Sequence, residues 1–472
     1  MTAAPYTAPG VFPSLVNSPG LGSSQATGGV LGLIANFPTG PRDPGLTYTS
    51  FAQFKRDYGD PAGNGAGYSG PLAAQLFFTQ TGGGSGLTQG LVARRAGTTL
   101  ATLTLVGTSL SLTLTATQKY AGTAGNAISV VVAAESGSNQ TITLTDANNV
   151  TESYTEPVGT TTATNFLTAI NQASKMVTAS APTDSANPFT AGTFTPSGGT
   201  DGKNAAIVQA DFDAMGNVQV NGVCAMDGTL ATAQLLQTHV ETNSASYSKP
   251  RIGFAGPALG TSVSTIENNA GVTLNTADGR MVYAGHDGLV MFNPVTNSPV
   301  NLDGSYWAPV AAGVAFSRSV SDPSTWKPVA GVLGPVNPQS EATLTALSQN
   351  GCWVVDVGFN GLVCKDAVTT TNYSGTVMGK LVNRTALDEF VRRAQFWAAT
   401  QLIGQRNGPD VPQRIISGFN SVGQRAVLDL VIASLDSVAP VANGTNGYNV
   451  NCALHLLGEV DSVNIPITIL TS

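Results

Sequence analysis

The segment Gly29-Val-Leu-Gly-Leu-Ile-Ala35 is a run of apolar residues that ends shortly before two prolines. Such a run, bounded by turn residues, predicts a short buried strand. The chain then favours a helix after the N-cap residue Ser50, a second helix over 71–78 that starts with a proline, and a strand over 90–95. This order predicts the start of a compact α/β unit.

Residues 97–200 differ in composition, because they hold almost no charge and many Thr and Ser. Leucine alternates with Ser and Thr over 110–114, which is typical of a half-buried strand. Residues 128–132 and 141–145 predict further strands, and one helix is predicted from Thr162 to Val177. We therefore expect a mostly β domain, inserted into the chain and placed on an outer surface.

The α/β pattern returns after the insertion. Residues 29–96 and 201–356 are therefore predicted to be two halves of one split α/β domain. Core strands are expected at 252–256, 281–284 and 352–356, and a helix at 341–348.

Residues 357–448 predict a helical or α+β domain. Its strongest helix runs from Thr385 to about Ile403, with Thr385 as the expected N-cap and Asp388 three residues on. A second helix is expected at about Gly423 to Leu435.

Both ends of the chain predict extended arms. Residues 1–28 contain four prolines within nineteen residues, which excludes a helix there. Residues 449–472 end in a segment with period-two alternation, and Pro466 restricts that strand to a sheet edge. The predicted fold class is thus mixed α/β or α+β and multidomain, with a split α/β core, a mostly β inserted outer domain, and extended N- and C-terminal arms.

Composition excludes several classes of protein. The net charge is −7 with 21 Lys and Arg in total, so a nucleic acid is not expected as the main ligand. No apolar stretch approaches the length of a transmembrane helix, and the N-terminus lacks the pattern of a signal peptide. The four cysteines form no C-x-x-C pair and the three histidines are far apart, so no metal and no cofactor are expected.

The sequence contains only poor matches to known catalytic motifs. The segment Gly198–Lys203 lacks two of the four fixed positions of a phosphate-binding loop and predicts a turn. His286 and Asp287 lie between glycines, which is more typical of a turn than of an acid–base pair. We expect no enzyme, although a hydrolase that uses carboxylates alone and a Thr/Ser-rich surface-layer or adhesin-type protein stay open as alternatives.

Several segments resemble contractile tail sheath proteins, as in contractile-tailed bacteriophages and related contractile injection systems. Tyr6-Thr-Ala-Pro-Gly-Val-Phe12 resembles the opening Y-x-x-P-G-V-Y of that family. Lys119-Tyr-Ala-Gly-Thr-Ala-Gly-Asn126 is similar to the K-Y-P-G-x-x-G-N segment that opens its inserted region. Val329–Gly331 with Asn337, and Leu381–Asn407, resemble later parts of the family.

The resemblance implies a structural subunit of a helical tube, built of six-fold rings around a rigid inner tube that contraction drives through a target cell envelope. The implied partners are further copies of the chain, the inner tail tube protein, and the baseplate and tail terminator proteins. No direct contact with nucleic acid and no membrane insertion are implied. The implied location is the virion tail, assembled in the host cytoplasm.

The two arms are the first predicted interaction sites. Extended termini cannot satisfy their own backbone groups, so we expect residues 5–17 and 462–470 to add strands to other copies, beside hinges at Gly20–Gly29 and Asn443–Gly447. The predicted arm residues are Tyr6, Val11, Phe12, Leu15, Val463, Ile465, Ile467 and Ile469.

The tube is the second predicted contact. The resemblance implies that the C-terminal domain faces inward, which makes Arg384, Arg392 and Arg393 candidate contacts to acidic residues of the tube. The alternative is that these arginines are solvated helix charges.

Overall fold

A computed structural model describes residues 29–80, 89–147, 149–245, 249–358, 361–371, 376–443 and 447–457. All eight predicted arm residues lie outside these ranges. Within the described ranges, every helix is too short or too polar to cross a membrane.

An eight-stranded sheet forms the centre of the molecule. Six neighbouring strands of this sheet are parallel, and two antiparallel strands extend it at one end. In spatial order the strands are β15 (Lys327–Pro328), β18 (Gly361–Asp366), β17 (Cys352–Gly358), β12 (Met281–Ala284), β11 (Ile252–Ala255), β10 (Gly222–Ala225), β1 (Val30–Ala35) and β2 (Gly90–Arg95). The sheet thus contains strands that precede residues 97–200 in the sequence and strands that follow them. The mixed α/β, multidomain fold predicted from the sequence is confirmed.

Helices cover both faces of this sheet. One face packs on α1 (Phe51–Tyr58), α2 (Ser69–Thr79) and α8 (Trp307–Phe316). The other packs on α5 (Gln209–Gly216), α6 (Leu230–Ser244), α7 (Val263–Asn268) and α9 (Glu341–Gln349). The chain runs from β1 to its neighbour β2, and later returns from β2 past β1 to β10 on the opposite side of β1. Right-handed crossovers in opposite directions place their helices on opposite faces.

Side chains alternate between the two cores along each strand. In β12, Val282 and Ala284 join one core, whereas Met281 and Tyr283 join the other. Because both sets are apolar, the strand reads as a continuous apolar run, which is why the sequence predicted it. A small antiparallel sheet of β13 (Gly288–Phe292), β14 (Pro299–Asp303) and β16 (Gly334–Pro335) lies beside the carboxyl end of β12.

Residues 102–194 form two further sheets around a core of their own. One contains β3 (Thr102–Gly107), β4 (Leu110–Ala116) and β8 (Val177–Thr183); the other contains β5 (Ser129–Val132), β6 (Asn139–Thr145), β7 (Thr151–Pro157) and β9 (Gly192–Phe194). The short helix α3 (Thr123–Asn126) and the longer α4 (Thr162–Ala173) complete this region. The helix predicted to reach Val177 ends earlier, because the Ser174 hydroxyl accepts the N–H groups of Met176 and Val177.

The segment Lys119–Asn126 fastens this β region to the main sheet. The Asn126 side chain donates to the Gly199 carbonyl at 2.8 Å and accepts from the Gly199 N–H at 3.0 Å. Asp201 accepts from the N–H and hydroxyl of Thr123 at 2.9 and 2.6 Å, and from the buried guanidinium of Arg95 at 3.1 Å. The entering and leaving chains also pair directly, through the bridge between Thr99 and Thr200.

The C-terminal region contains α10 (Leu381–Gln401), α11 (Val411–Leu428) and an antiparallel hairpin of β19 (Ser434–Ala442) and β20 (Tyr448–His455). The helices approach closely at Gly418, where a Cβ atom would come within 1.7 Å of the Trp397 ring. Val431 and Ile432 join Ala386, Phe390 and Ala426 in a small core.

Two sequence expectations are wrong here. Helix α10 begins at Leu381 rather than at Thr385, whose hydroxyl donates to the Leu381 and Val382 carbonyls within the helix. The helix expected at 423–435 is the end of α11, and the chain from Ser434 is a strand.

Asp201→Ala is expected to lower the free energy of unfolding by about 3 kcal/mol, because it leaves the buried Arg95 guanidinium without its carboxylate. Urea unfolding followed by tryptophan fluorescence measures this, since Trp307 and Trp353 lie in the main core.

Asp184→Ala is the matched control. Asp184 accepts from the N–H and hydroxyl of Thr164, as Asp201 does from Thr123, but it pairs with no buried arginine in the described structure. Its loss should cost about 1 kcal/mol. Equal losses in the two variants would contradict the role given to the Arg95–Asp201 pair.

Candidate assembly surfaces of the C-terminal domain

Helix α10 carries the three arginines predicted to contact a tube, and the first of them is buried. Arg384 is 1% exposed and pairs with Asp388 one turn further along the helix. Its second terminal nitrogen donates to the Asp278 carbonyl at 3.1 Å. Burial lowers the pKa of Arg384, and Asp388 partly offsets this effect. In this conformation Arg384 has no surface to offer a second protein.

Asp388 receives a second guanidinium from the main sheet. Nη1 of Arg280, which immediately precedes β12, donates to both Asp388 oxygens at 3.0 and 2.8 Å. Arg280 also pairs with Asp278 at 2.8 Å. Because Arg280 and Asp388 are both essentially unexposed, this contact fixes where α10 lies on the sheet.

Arg392 and Arg393 are partly exposed and make contacts within the chain. Arg392 donates to the Pro250 carbonyl at 2.7 Å, just before β11. Arg393 donates to Glu389 at 2.9 Å and to Asp429 at 2.7 Å. Burial alone would lower the pKa of Arg393, but these two carboxylates outweigh it, so the pKa is raised. Arg393 thus ties α10 to the end of α11.

Two arginines that the sequence reasoning did not select are more accessible. Arg406 lies exposed in the connection between α10 and α11. Arg414 is 43% exposed and approaches Asp410 only to 3.9 Å. Arg406 lies in the Gly- and Pro-containing connection between the two helices, and Arg414 lies in the first turn of α11. This position at the junction of two amphipathic helices was the available signal.

The hairpin β19–β20 presents two open edges. Ser434 lies opposite His455 and Ala442 opposite Tyr448, so the two strands pair along nearly their full length. No third strand lies beside either of them in the described part of the chain. Leu435 and Leu454 pack against the small core beneath, which holds the hairpin on the helices. The Asn443 N–H donates to the Gly447 carbonyl at 2.8 Å, and the rest of the expected hinge, 444–446, lies outside the described residues.

His286 and Asp287 are buried at the carboxyl end of β12. The Val355 N–H donates to His286 Nε2 at 3.1 Å, and burial lowers the pKa of His286 to about 4. Asp287 accepts from the Gly260 N–H at 3.1 Å and from the Asn337 amide at 2.8 Å. These bonds join loops to one another. Within the described ranges, no group of three or more His, Cys, Asp or Glu side chains is placed to hold a metal ion.

Comparison with solved structures relates this architecture to known proteins. The sheath tail protein of Listeria innocua superposes with a TM-score of 0.61 at 14% identity, over 92% of this chain and 93% of that chain. The chain has the fold of tail sheath proteins. The sheath tail protein of Desulfitobacterium hafniense gives 0.53 at 12% identity, over 92% and 98%. A chain of the anti-feeding prophage baseplate gives 0.54 at 11% identity, over 99% and 100%.

The sheath fold is recognised here by structure, since no protein-family model and no curated protein matches the sequence. The similarity spans nearly the full length of each chain. It therefore includes the C-terminal helices and hairpin as well as the central sheet.

Asp388→Asn should lower the free energy of unfolding by about 3 kcal/mol, because two buried guanidiniums then lose their shared negative charge. Glu389→Gln, at the next position, should cost less than about 1 kcal/mol, since Arg393 is partly exposed and keeps Asp429. Chemical denaturation of both variants tests this difference. A loss in Asp388→Asn no greater than in Glu389→Gln would show that the Arg280–Asp388 contact does not hold α10.

Proposed function

We propose that this chain is a structural subunit of a contractile tail sheath, which polymerises in six-fold rings around an inner tube and contracts to drive that tube through a target cell envelope. The observation that supports this most is the match of nearly the whole chain to sheath tail proteins and to a baseplate chain of a contractile particle. The role is structural, not catalytic. The particle is a virion tail or a related injection machine.

Strand exchange is the proposed linkage between subunits. In the described part of the chain, no further strand pairs with either edge of the β19–β20 hairpin, and such edges accept strands from other chains. A two-stranded hairpin is marginally stable alone, and added strands would stabilise it. The arms at 5–17 and 462–470 have the composition to supply these strands.

The proposed tube contact uses the exposed arginines of the C-terminal domain. We keep Arg392 and Arg393 as proposed tube contacts because their side chains are partly exposed, and we add the more exposed Arg406 and Arg414. Arg384 would first have to break its buried pair with Asp388, so we give it a structural role. The baseplate and the tail terminator are proposed as the partners at the two ends of the sheath.

Deleting residues 1–18 should abolish tubes and leave soluble monomers, because the hairpin edge then receives no strand. Negative-stain imaging and sedimentation of the purified protein measure this. Unchanged sheaths from the shortened chain would overturn strand exchange by the N-terminal arm, whereas sheets or globules from the full chain would overturn the sheath assignment.

Removing the inserted β region is the control for that deletion. Thr99 and Thr200 form an antiparallel bridge, so a two-residue Asn-Gly turn can join them in place of residues 100–199. We expect this shorter chain to form tubes of smaller outer diameter. Loss of tubes here would contradict an outer, dispensable position for the insertion.

The double variant Arg406→Glu with Arg414→Glu should reduce co-sedimentation with purified inner tubes at least tenfold, because both charges are reversed where they are exposed. Arg56→Glu is the control, since Arg56 is 76% exposed on α1 of the α/β domain. Equal binding by both variants would remove these arginines from the tube contact.

A further inference from the structure

The sequence contains seven Asn-Gly pairs, and one of them, Asn407–Gly408, lies in the exposed connection between α10 and α11. An Asn that precedes a Gly can react with its own backbone, because the Gly nitrogen approaches the side-chain carbonyl carbon with no side chain of its own in the way. Whether a particular pair reacts depends on how the fold holds that nitrogen and that carbonyl group.

The fold leaves the Gly408 nitrogen available. Within the described ranges the Gly408 N–H donates to no acceptor, although the Gly408 carbonyl accepts from the Val411 N–H at 3.1 Å. The pair lies between the end of α10 at Gln401 and the start of α11 at Val411. Attack by this nitrogen therefore breaks no hydrogen bond of a helix or strand.

The side-chain carbonyl of Asn407 has a donor in place. The hydroxyl of Tyr448, the first residue of β20, donates to Asn407 Oδ1 at 3.1 Å. When a nitrogen adds to the carbonyl carbon, negative charge develops on this oxygen. A donor at that position stabilises the charge, as the donors of an oxyanion hole do.

The structure describes both residues of three other Asn-Gly pairs, and each of these is held differently. The N–H groups of Gly65 and Gly351 donate to backbone carbonyls at 2.8 and 2.9 Å. Gly222 is buried as the first residue of β10. Among these four pairs, Asn407–Gly408 alone combines an exposed loop, a nitrogen without an acceptor and a hydroxyl on the carbonyl oxygen.

We infer that Asn407 deamidates spontaneously through a cyclic imide, with the Tyr448 hydroxyl stabilising the oxyanion. The Gly408 nitrogen bonds to Asn407 Cγ, the Cγ–Nδ2 bond breaks, and ammonia leaves with the proton of the Gly408 N–H. Solvent water then adds to one of the two imide carbonyls and opens the ring. The product is aspartate or isoaspartate, whose carboxyl group releases its proton at neutral pH and adds one negative charge.

The new carboxylate follows Arg406 directly and lies in the connection that leads to Arg414. It offsets positive charge in the proposed tube contact and so weakens that contact. This consequence rests on the proposed function, whereas the reaction itself does not. Asn407→Asp has the aspartate product from the start, and it should reduce co-sedimentation with purified inner tubes.

Two results of this binding experiment are distinguishable. Normal binding by Asn407→Asp, together with lost binding by the variant Arg406→Glu with Arg414→Glu, would overturn the effect of deamidation and leave the tube contact standing. Normal binding by both variants would overturn the tube contact itself.

Peptide mapping by mass spectrometry tests the reaction on the purified full chain. The protein is incubated in mildly alkaline buffer and digested at acidic pH, so that the digestion adds no deamidation. We expect a mass increase of about 1 Da at Asn407, where an amide becomes a carboxyl group. It should accumulate roughly tenfold faster than at Asn64, Asn221 or Asn350, which are controls within the same molecule.

Two further measurements separate the fold from the local sequence. Tyr448→Phe should slow the reaction at Asn407 roughly threefold, because the oxyanion loses its donor. In urea the preference for Asn407 should disappear, and Tyr448→Phe should then have no effect. The inference is overturned by a rate at Asn407 no greater than at the three control pairs, by an unchanged or faster rate in folded Tyr448→Phe, or by a preference that persists in urea.

Discussion

The buried contact between Arg280 and Asp388 sets the position of everything that follows α10. The small core beneath the hairpin is formed by five buried side chains, which is little apolar area to orient a domain. Two guanidiniums that converge on one carboxylate accept few geometries, because charged hydrogen bonds are directional. A buried pair of this kind adds little net stability, since desolvation offsets much of the attraction. Its effect is to select one orientation of α10. Because α11 and the hairpin pack on α10 or on each other, their positions follow from that orientation.

This orientation matters for the proposed function because the hairpin is incomplete on its own. Its inner face is held by Leu435 and Leu454, while no other strand among the residues that the structure describes pairs with either edge. Exposed strand edges tend to cause aggregation, because their unpaired backbone groups can pair with any other strand. A hairpin fixed on rigid helices instead presents its edges in one direction, so the proposed strand addition by sister chains would occur at a defined angle. In the proposed assembly, edge pairing would link subunits that keep their internal structure.

The sequence predicted the elements whose evidence is local and missed those that depend on distant partners. Apolar runs such as Val30–Ala35 and Met281–Ala284 were recognised because both faces of the strand are buried. The β19 strand was missed because it contains Pro440 and its apolar residues follow directly from α11, which suggested a longer helix. Asp388 was taken for a helix-capping residue, since its partner Arg280 lies 108 positions away. The candidate arginines were chosen by their charge and by the family resemblance, neither of which reports burial, and burial separates Arg384 from the others.

Two buried charge pairs lie where parts of this chain join the central sheet. Only 10% of residues are charged, yet Arg95–Asp201 joins the inserted β region to the sheet and Arg280–Asp388 joins the C-terminal helices to it. Arg95 ends β2 and Arg280 immediately precedes β12, so both arginines lie in or beside the central sheet. Asp388 belongs to the attached C-terminal domain, whereas Asp201 begins the chain that returns from the inserted region and also accepts from Thr123 within that region. Apolar junctions of similar size would tolerate sliding, because hydrophobic contact is not directional. Paired charges at the junctions resist sliding, which is a property that the proposed sheath subunit would need in order to transmit force between its neighbours.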